Sequence, residues 1–132
     1  MVKLPIIICA SGDIHIYDSI NEAARSMESI DVLEGEYVVW DSDGYVLDLH
    51  VDERYRPLAP KWLWWLLGVP IGPVEIRGRK EAVPREKELH SLLVEYLRSL
   101  QERGIVRADI DWSAASLSAL INAARVPRGL NR

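Results

Sequence analysis

The chain has 132 residues, is 48% hydrophobic and 27% charged, and carries a formal net charge of −4. These values are typical of a folded globular protein and exclude a disordered or low-complexity chain. Cys9 is the single cysteine, so an intrachain disulfide is excluded and a reducing compartment, the cytoplasm, is favoured. At this length we expect one domain that spans residues 1–132.

The charge is distributed unevenly along the chain. Residues 1–53 carry twelve acidic and two basic residues, whereas residues 54–132 carry eight acidic and fourteen basic residues. We therefore divide the domain into an acidic β-rich part, 1–56, and a basic helical part, 57–132. The stretch 27–53 alone has nine acidic residues and no basic one. Because like charges at this density repel each other, the fold must solvate them or use their field.

The first predicted elements are two strands and a short helix. Strands are expected at about 5–10 and 13–17, with Gly12 in the turn between them. The apolar N-terminal run has a weak similarity to a signal peptide. Because the run is short and interrupted by a proline, we expect a buried strand instead. Ser19 lies three residues before Glu22, which is a capping-box spacing. The helix is expected to bury one stripe, formed by Ile20, Ala23, Ala24 and Met27.

Residues 36–53 have the pattern of a β-hairpin that carries the candidate site. β-Branched and aromatic residues flank a turn at 41–44, where Gly44 supplies a positive φ and Asp41 caps the turn. Alternation then separates a core face from a wet, acidic face. The expected core face comprises Tyr45, Leu47, Leu49 and Val51, and the expected solvent face comprises Val46, Asp48, His50 and Asp52.

The basic part begins with a tryptophan-rich segment. The uncharged run from Trp62 to Val74 is too short to span a bilayer and is interrupted by two prolines and two glycines. We expect a short helix at 61–67 and a strand at about 74–79. Three tryptophans in four residues cannot all face one direction on a helix, so at least one is expected near the surface.

Two longer helices follow. Leucines at helical spacing predict a helix over 84–103, with its proline at the first helical position and Gly104 just past its end. Its expected buried stripe is Leu89, Leu92, Leu93, Tyr96, Leu97 and Leu100. A last helix is capped by Asp111 or Ser113 and runs to about Arg125, with the expected buried stripe Leu117, Leu120, Ile121 and Ala124. The order predicts an α+β fold with an antiparallel sheet of about four or five strands, helices on one face, and two longer helices at the C-terminus.

No motif in the sequence names a reaction. Asp48, His50 and Asp52 recur at every second strand position and could bind a metal, which leaves a small metal-dependent enzyme as one alternative. Neighbours at this spacing lie roughly 6.6 Å apart, which favours a solvated polar face. Cys9 and His15 suggest a nucleophile and a base on one sheet face, but Cys9 follows three isoleucines and is interpreted as a buried hydrophobe. We predict no catalytic residue, metal or cofactor.

Other binding classes are disfavoured by charge and by missing ligands. Arg77, Arg79 and Lys80 form a modest basic patch, but interspersed glutamates and a pI near 5.4 argue against a nucleic-acid surface. The turn at 41–44 lacks the remaining ligands of a calcium loop. An acidic, solvated sheet face with aromatic margins instead indicates a surface for a basic protein partner. We assign to this surface Glu36, Trp40, Asp41, Asp43, Tyr45, Asp48, His50, Asp52, Trp62 and Trp64.

A strand–helix–hairpin pattern covers about the first fifty residues. Its elements are Gly12-Asp13, Tyr17-x-Ser19, Glu22-Ala23-Ala24, Ile30-Asp31-Val32-x-x-Gly35-Glu36-Tyr37 and Asp41-x-x-Gly44. The pattern resembles small bacterial immunity proteins of contact-dependent or polymorphic toxin systems. The resemblance implies a cytoplasmic, non-enzymatic protein that binds one cognate toxin domain, here a basic and nuclease-like one. A structural or regulatory homo-oligomer, for example a homodimer joined through the 62–67 segment or the hairpin edge, is a further alternative.

Overall fold

The computed structural model describes residues 2–28, 31–32, 35–51, 74–105 and 110–130, with the side chains of the last helix as far as Arg125. Over these ranges the chain has an α+β architecture with two antiparallel sheets and three α-helices. The strands are β1 (Ile6–Ala10), β2 (Asp13–Tyr17), β3 (Tyr37–Trp40), β4 (Leu47–Val51) and β5 (Val74–Arg79). The helices are α1 (Ile20–Ser26), α2 (Glu86–Glu102) and α3 (Leu117–Leu130), and a 3-10 turn spans Trp112–Ala114.

The strands form two sheets, and the prediction of a single sheet is wrong for the described residues. One sheet has the order β2-β1-β3, and the other consists of β4 and β5. The predicted hairpin is confirmed at its turn, where Gly44 has a φ of 89° and the Asp41 N–H donates to the Tyr45 carbonyl at 2.9 Å. Its two strands do not pair along their length, because β3 pairs with β1 and β4 pairs with β5. β3 and β4 meet at one isolated bridge between Trp40 and Val46. Val46 is consequently half-buried against the core, and its predicted place on the wet face is wrong.

β1 and β2 form a tight local hairpin. Ala10 pairs with Asp13, so the turn has two residues, Ser11 and Gly12. Their φ angles are 51° and 81°, and two successive positive φ values are the signature of a type I′ turn. This turn matches the right-handed twist of the strands, which fixes the register between β1 and β2.

Both faces of the three-stranded sheet are covered, whereas the sequence predicted helices on one face. Ile7 of β1 belongs to the cluster that contains the buried residues of α2 and α3. Ile6 and Ile8 point the opposite way and pack in a second cluster with α1, β4 and β5. All three isoleucines are at most 2% exposed. β1 is therefore the central strand of the core.

The predicted cap of α1 is confirmed. Ser19 is the N-cap, and its Oγ accepts a hydrogen bond from the Glu22 N–H at 3.0 Å. Ala23 and Met27 are buried as predicted, but Ile20 is 37% exposed. The buried stripe of this two-turn helix is therefore narrower than the apolar spacing indicated.

α2 is shorter at its start than predicted and ends as predicted. Arg85 is the N-cap, so the preceding proline lies outside the helix. At the other end, the Gly104 N–H donates to the Gln101 carbonyl at 3.0 Å, and the Ile105 N–H donates to the Leu100 carbonyl at 2.9 Å. This pair of bonds, with φ of 73° at Gly104, is a Schellman motif.

The buried stripe of α2 differs from the prediction at two positions. Leu92 is 36% exposed, and Val94, which was not predicted to be buried, is 6% exposed. The other predicted stripe residues are buried and comprise Leu89, Leu93, Tyr96, Leu97 and Leu100. The buried face of α2 is thus rotated about the helix axis relative to the predicted face, and Leu92 lies at its solvent-exposed margin.

The last helix differs from the prediction at both ends, because Asp111 caps a separate 3-10 turn and the helix is longer than expected. The Asp111 carboxylate accepts hydrogen bonds from the Ser113 N–H at 3.1 Å and from its hydroxyl at 2.6 Å, which lowers the pKa of Asp111. This cap begins the 3-10 turn, and α3 itself begins at Leu117. The helix continues past Arg125 to Leu130, so its predicted end is wrong.

The helix expected at 61–67 lies outside the described residues. Within the described ranges, no helix combines the length and the apolar character that a membrane crossing requires.

Candidate functional site

The acidic turn at the centre of the predicted binding surface is neutralised inside the fold. Asp41 is 0% exposed, and its carboxylate accepts hydrogen bonds from the N–H groups of Asp43 and Tyr45, each at 3.0 Å. Arg79 on β5 reaches this turn, with its Nη2 3.1 Å from Asp41 and 3.4 Å from Asp43. Asp41 is therefore not available to a binding partner. It is buried, and its carboxylate oxygens already accept hydrogen bonds within the turn.

Two further contacts complete this cluster of Lys3, Asp41, Asp43, Tyr45 and Arg79, which we call the Arg79 cluster. The Lys3 ammonium lies 3.3 Å from Asp43. The Arg79 guanidinium lies 3.6 Å from the centroid of the Tyr45 ring, which is a cation–π distance. Asp43 and Tyr45, both assigned to the partner surface from sequence, are half-buried in this cluster.

Trp40 is likewise a core residue in the structure. It is 2% exposed and packs in the cluster that contains α2 and α3. Because it is buried, the Trp40 indole does not lie at the margin of an exposed acidic surface, where the sequence predicts it. The indole and Cys9 line the same face of the sheet, and burial raises the pKa of the Cys9 thiol to about 11.

The proposed pairing of Cys9 with His15 is wrong in geometry. The register of the β1–β2 hairpin places Cys9 opposite Ile14 and His15 opposite Ile8, so the two side chains lie on opposite faces of the sheet. A nucleophilic thiol also needs a lowered pKa, whereas that of Cys9 is raised. Cys9 therefore fits its interpretation as a small hydrophobe.

The remaining predicted residues on β4 lie on its solvent side. Asp48 is exposed and forms no ion pair with any described residue, and His50 is half-buried opposite Glu75 of β5. Asp52, Trp62 and Trp64 lie outside the described residues. Among the residues that the structure describes, no three His, Cys, Asp or Glu side chains are grouped to bind a metal ion.

A groove of about 410 Å³ runs between β3 and α2. Glu36, Val38 and Trp40 form one wall, because alternate residues along β3 share a face. The other wall comes from one face of α2, whose residues are spaced by four, three and four positions. They are Glu88, Leu92, Glu95 and Ser99. A strand and a helix thus present two facing rows of side chains.

The groove combines apolar surface with negative charge. Val38 is 42% exposed and Leu92 is 36% exposed, and Cys9, Ile14 and Tyr96 lie deeper between the walls. The charged residues that line the groove within the described chain are all acidic. They are Asp13, Glu36, Glu88 and Glu95.

Only part of this negative charge is compensated. Glu88 binds Arg85 at 3.0 Å, whereas Asp13 lies 3.6 Å from His15, which offsets its charge only when the imidazole is protonated. Glu36 and Glu95 are exposed, and neither forms an ion pair with another described residue. Among the described residues, the groove therefore presents two carboxylates without ion pairs beside partly exposed aliphatic side chains.

The sequence identified one wall of this groove and missed the other. Glu36 and Trp40 were among the predicted surface residues, whereas the α2 wall was not predicted. A signal was present in α2, because Leu92 has a glutamate one helical turn away on each side, at positions 88 and 95. That flanking is typical of a position at the boundary between a buried and a solvated helix face.

Comparison with known proteins identifies no relative. No family model, curated protein or solved structure matches the chain. The resemblance to immunity proteins therefore remains a prediction.

Proposed function

We propose that the chain is a non-enzymatic inhibitor that binds a basic protein, as an immunity protein binds its cognate toxin domain. The observation that carries this proposal is the groove between β3 and α2, where Glu36 and Glu95 are exposed and form no ion pair with described residues. Negative potential beside apolar surface favours a partner with a basic patch and disfavours acidic competitors.

Asp48 extends the acidic surface on the other side of β3. It lines a cleft of about 220 Å³ between β3 and β4, together with Gly35 and Tyr37. Glu36 lies between those two residues in sequence and lines the neighbouring groove. Lys80 also lines the cleft and offsets part of the charge there. The β3–α2 groove, whose described lining residues include no Lys or Arg, is therefore the stronger candidate.

A nuclease-like toxin domain is the partner class that we propose. An enzyme that binds nucleic acid presents cationic side chains to phosphates, so its substrate cleft is basic. Carboxylates presented at the rim of a groove compete for those cations and block the cleft. The inhibitor itself needs no catalytic group for this function.

The proposal predicts that a reading frame adjacent to the gene for this chain encodes a basic toxin domain, and the test uses that domain as the partner. Growth rescue on co-expression measures inhibition, and association kinetics at low and high salt measure steering. We expect Glu36→Lys combined with Glu95→Lys to slow association about tenfold or more at low salt and to flatten the salt dependence. Charge reversal at both Glu22 and Glu102, which are exposed and do not line the groove, is the control with the same change in net charge. No rescue, or equal association rates for all variants, contradicts the proposal.

A further inference from the structure

We infer that the groove between β3 and α2 is a recognition site for a short segment of the partner protein, with one apolar anchor side chain flanked by basic residues. This inference rests on the proposed function and specifies which chemistry of the basic partner is recognised. Three observations carry it: the two facing walls, the exposed aliphatic pair, and the positions of the carboxylates.

The walls and the volume fit a segment rather than a broad surface. A row of alternate residues on and next to β3 lines the groove together with a row of α2 residues, and the β1–β2 turn at Ser11 and Gly12 also lines it. Its volume of about 410 Å³ is at the lower end of the range of roughly 300–1,000 Å³ that is usual for sites that bury a small ligand. Such a space accommodates a large side chain and its neighbours.

The anchor is apolar because of what is exposed inside the groove. Val38 and Leu92 come from opposite walls, and each leaves more than a third of its surface in water. Covering both at once removes apolar surface from water, which favours association. The deeper residues are Cys9, Ile14 and Tyr96, and the Cys9 thiol is neutral because burial raises its pKa to about 11. An aliphatic or aromatic side chain therefore fits between the walls better than a charged one.

The positions of the carboxylates require basic residues on both sides of that anchor. Glu88 and Glu95 stand on either side of Leu92 along α2, seven residues apart, which is about 10.5 Å of helical rise. An extended chain advances roughly 3.3 Å per residue, so the same length spans about three residues. The segment is therefore expected to carry Lys or Arg at positions i and i+3, with the anchor between them. Glu36 on the facing wall adds a further negative charge at the rim.

Of the two α2 carboxylates, Glu88 is the less available to a cation of the partner, because in the free protein it already forms an ion pair. Its partner Arg85 is exposed, and both side chains are about half in solvent. An exposed ion pair of this kind contributes little stability, so an incoming cation exchanges readily with Arg85. Glu95 needs no such exchange, because it forms no ion pair with described residues. The Glu95 end of the groove is therefore the preferred site for the basic residue.

The test uses the full ¹⁵N-labelled chain and the peptide Ac-Ala-Lys-Trp-Ala-Lys-Ala-NH2, followed by NMR. We expect saturable shifts at the amides of Val38, Leu92 and Glu95. Replacing both peptide lysines with glutamate, or its tryptophan with serine, should weaken binding about tenfold or more. The inference is overturned if shifts do not saturate, if they map away from the groove, if the glutamate peptide binds equally well, or if the groove is occupied by a second copy of this chain.

Variants separate this inference from the proposed function. Leu92→Gln should weaken peptide binding about tenfold and speed dissociation of the toxin domain, with little change in its association rate. Val83→Gln, at an apolar position that is 68% exposed and outside the groove, is the control. Val38→Thr, which preserves shape and strand propensity, tests the other wall. If toxin binding keeps its salt dependence while Leu92→Gln and Val38→Thr change nothing, the inference fails and the proposed function stands. If the groove binds the peptide but no toxin is inhibited, the proposed function fails.

Discussion

Replacement of Arg79 by methionine tests whether the buried carboxylate of Asp41 depends on its countercharge. Methionine retains an apolar stem of similar reach but has no guanidinium. In the native protein the Arg79 Nε and Nη2 atoms each lie 3.1 Å from Asp41 Oδ2, and Nη2 lies 3.4 Å from Asp43. The substitution therefore leaves a fully buried carboxylate without the guanidinium that spans the turn.

The magnitude follows from what Asp41 loses and what it keeps. Removing one member of a buried ion pair costs about 3–5 kcal/mol. Asp41 still accepts hydrogen bonds from the N–H groups of Lys3, Asp43 and Tyr45, and the Arg79 side chain is 25% exposed, so the cost falls at or below the lower end of that range. We expect the free energy of unfolding to fall by about 2–3 kcal/mol, which includes the lost contact with the Tyr45 ring.

Urea unfolding followed by circular dichroism measures this change. With an m-value of about 1–3 kcal/mol per molar urea, the midpoint should fall by roughly 1–2 M. The matched control is Arg77→Met in the same strand. Arg77 binds Glu75 at 3.2 Å, but both side chains are more than half exposed, so its loss should change stability by less than about 1 kcal/mol. Equal midpoints for the two variants would refute the claim that Asp41 requires Arg79.

Three further predictions concern the turn, the first helix and the thiol. Gly44→Ala should destabilise the protein by about 1–3 kcal/mol, because φ is +89° and an added Cβ would lie 2.8 Å from the first residue of α2. Gly12→Ala, with φ of +81° and open space around it, should cost about 1 kcal/mol. Ser19→Ala should cost about 1 kcal/mol through loss of the cap, whereas Ser118→Ala at an exposed helical position should be near neutral. Labelling of Cys9 by a disulfide reagent at about pH 7.5 should be roughly 100-fold slower in the folded than in the unfolded chain, and should accelerate as the pH approaches 11.

Each of these predictions has an opposing outcome. Equal stabilities for the two glycine variants would contradict the close approach of the turn to α2. Equal stabilities for the two serine variants would contradict the cap. Rapid labelling of the folded protein at neutral pH would contradict the raised pKa of Cys9. Thermal or urea unfolding measures the first two comparisons, and absorbance of the released reagent measures the third.

Sequence patterns located individual elements better than they located their neighbours. The strands at 13–17 and 74–79, the Ser19 cap and the end of α2 at Gly104 follow from residues close together in the chain, and the structure has all four. The pairing of β3 with β1 depends on residues that are distant in sequence. Local alternation specifies which side chains face the core, but it does not specify which strand lies alongside.

The candidate site shows the same limit in its charges. The acidic residues at 41–44 are evident in the sequence, but their neutralisation depends on Arg79, which is 38 positions from Asp41. The amino-acid composition shows that the chain has charges of both signs, but it does not show which of them form ion pairs. Leu92 illustrates the corresponding limit in packing. Helical periodicity placed it in the buried stripe, but tertiary packing decides where that stripe ends, and Leu92 lies at its margin.

The central position of β1 has a consequence for how newly made chains reach the native state. Hairpins with two-residue turns close within about 1–10 μs, so β1 and β2 join early, whereas β3 lies much farther along the chain. Until β3 docks, one flank of an isoleucine-rich strand presents unpaired backbone groups, which template association between molecules. Aggregation during refolding should therefore rise steeply with protein concentration, and molecular chaperones are expected to engage this flank first.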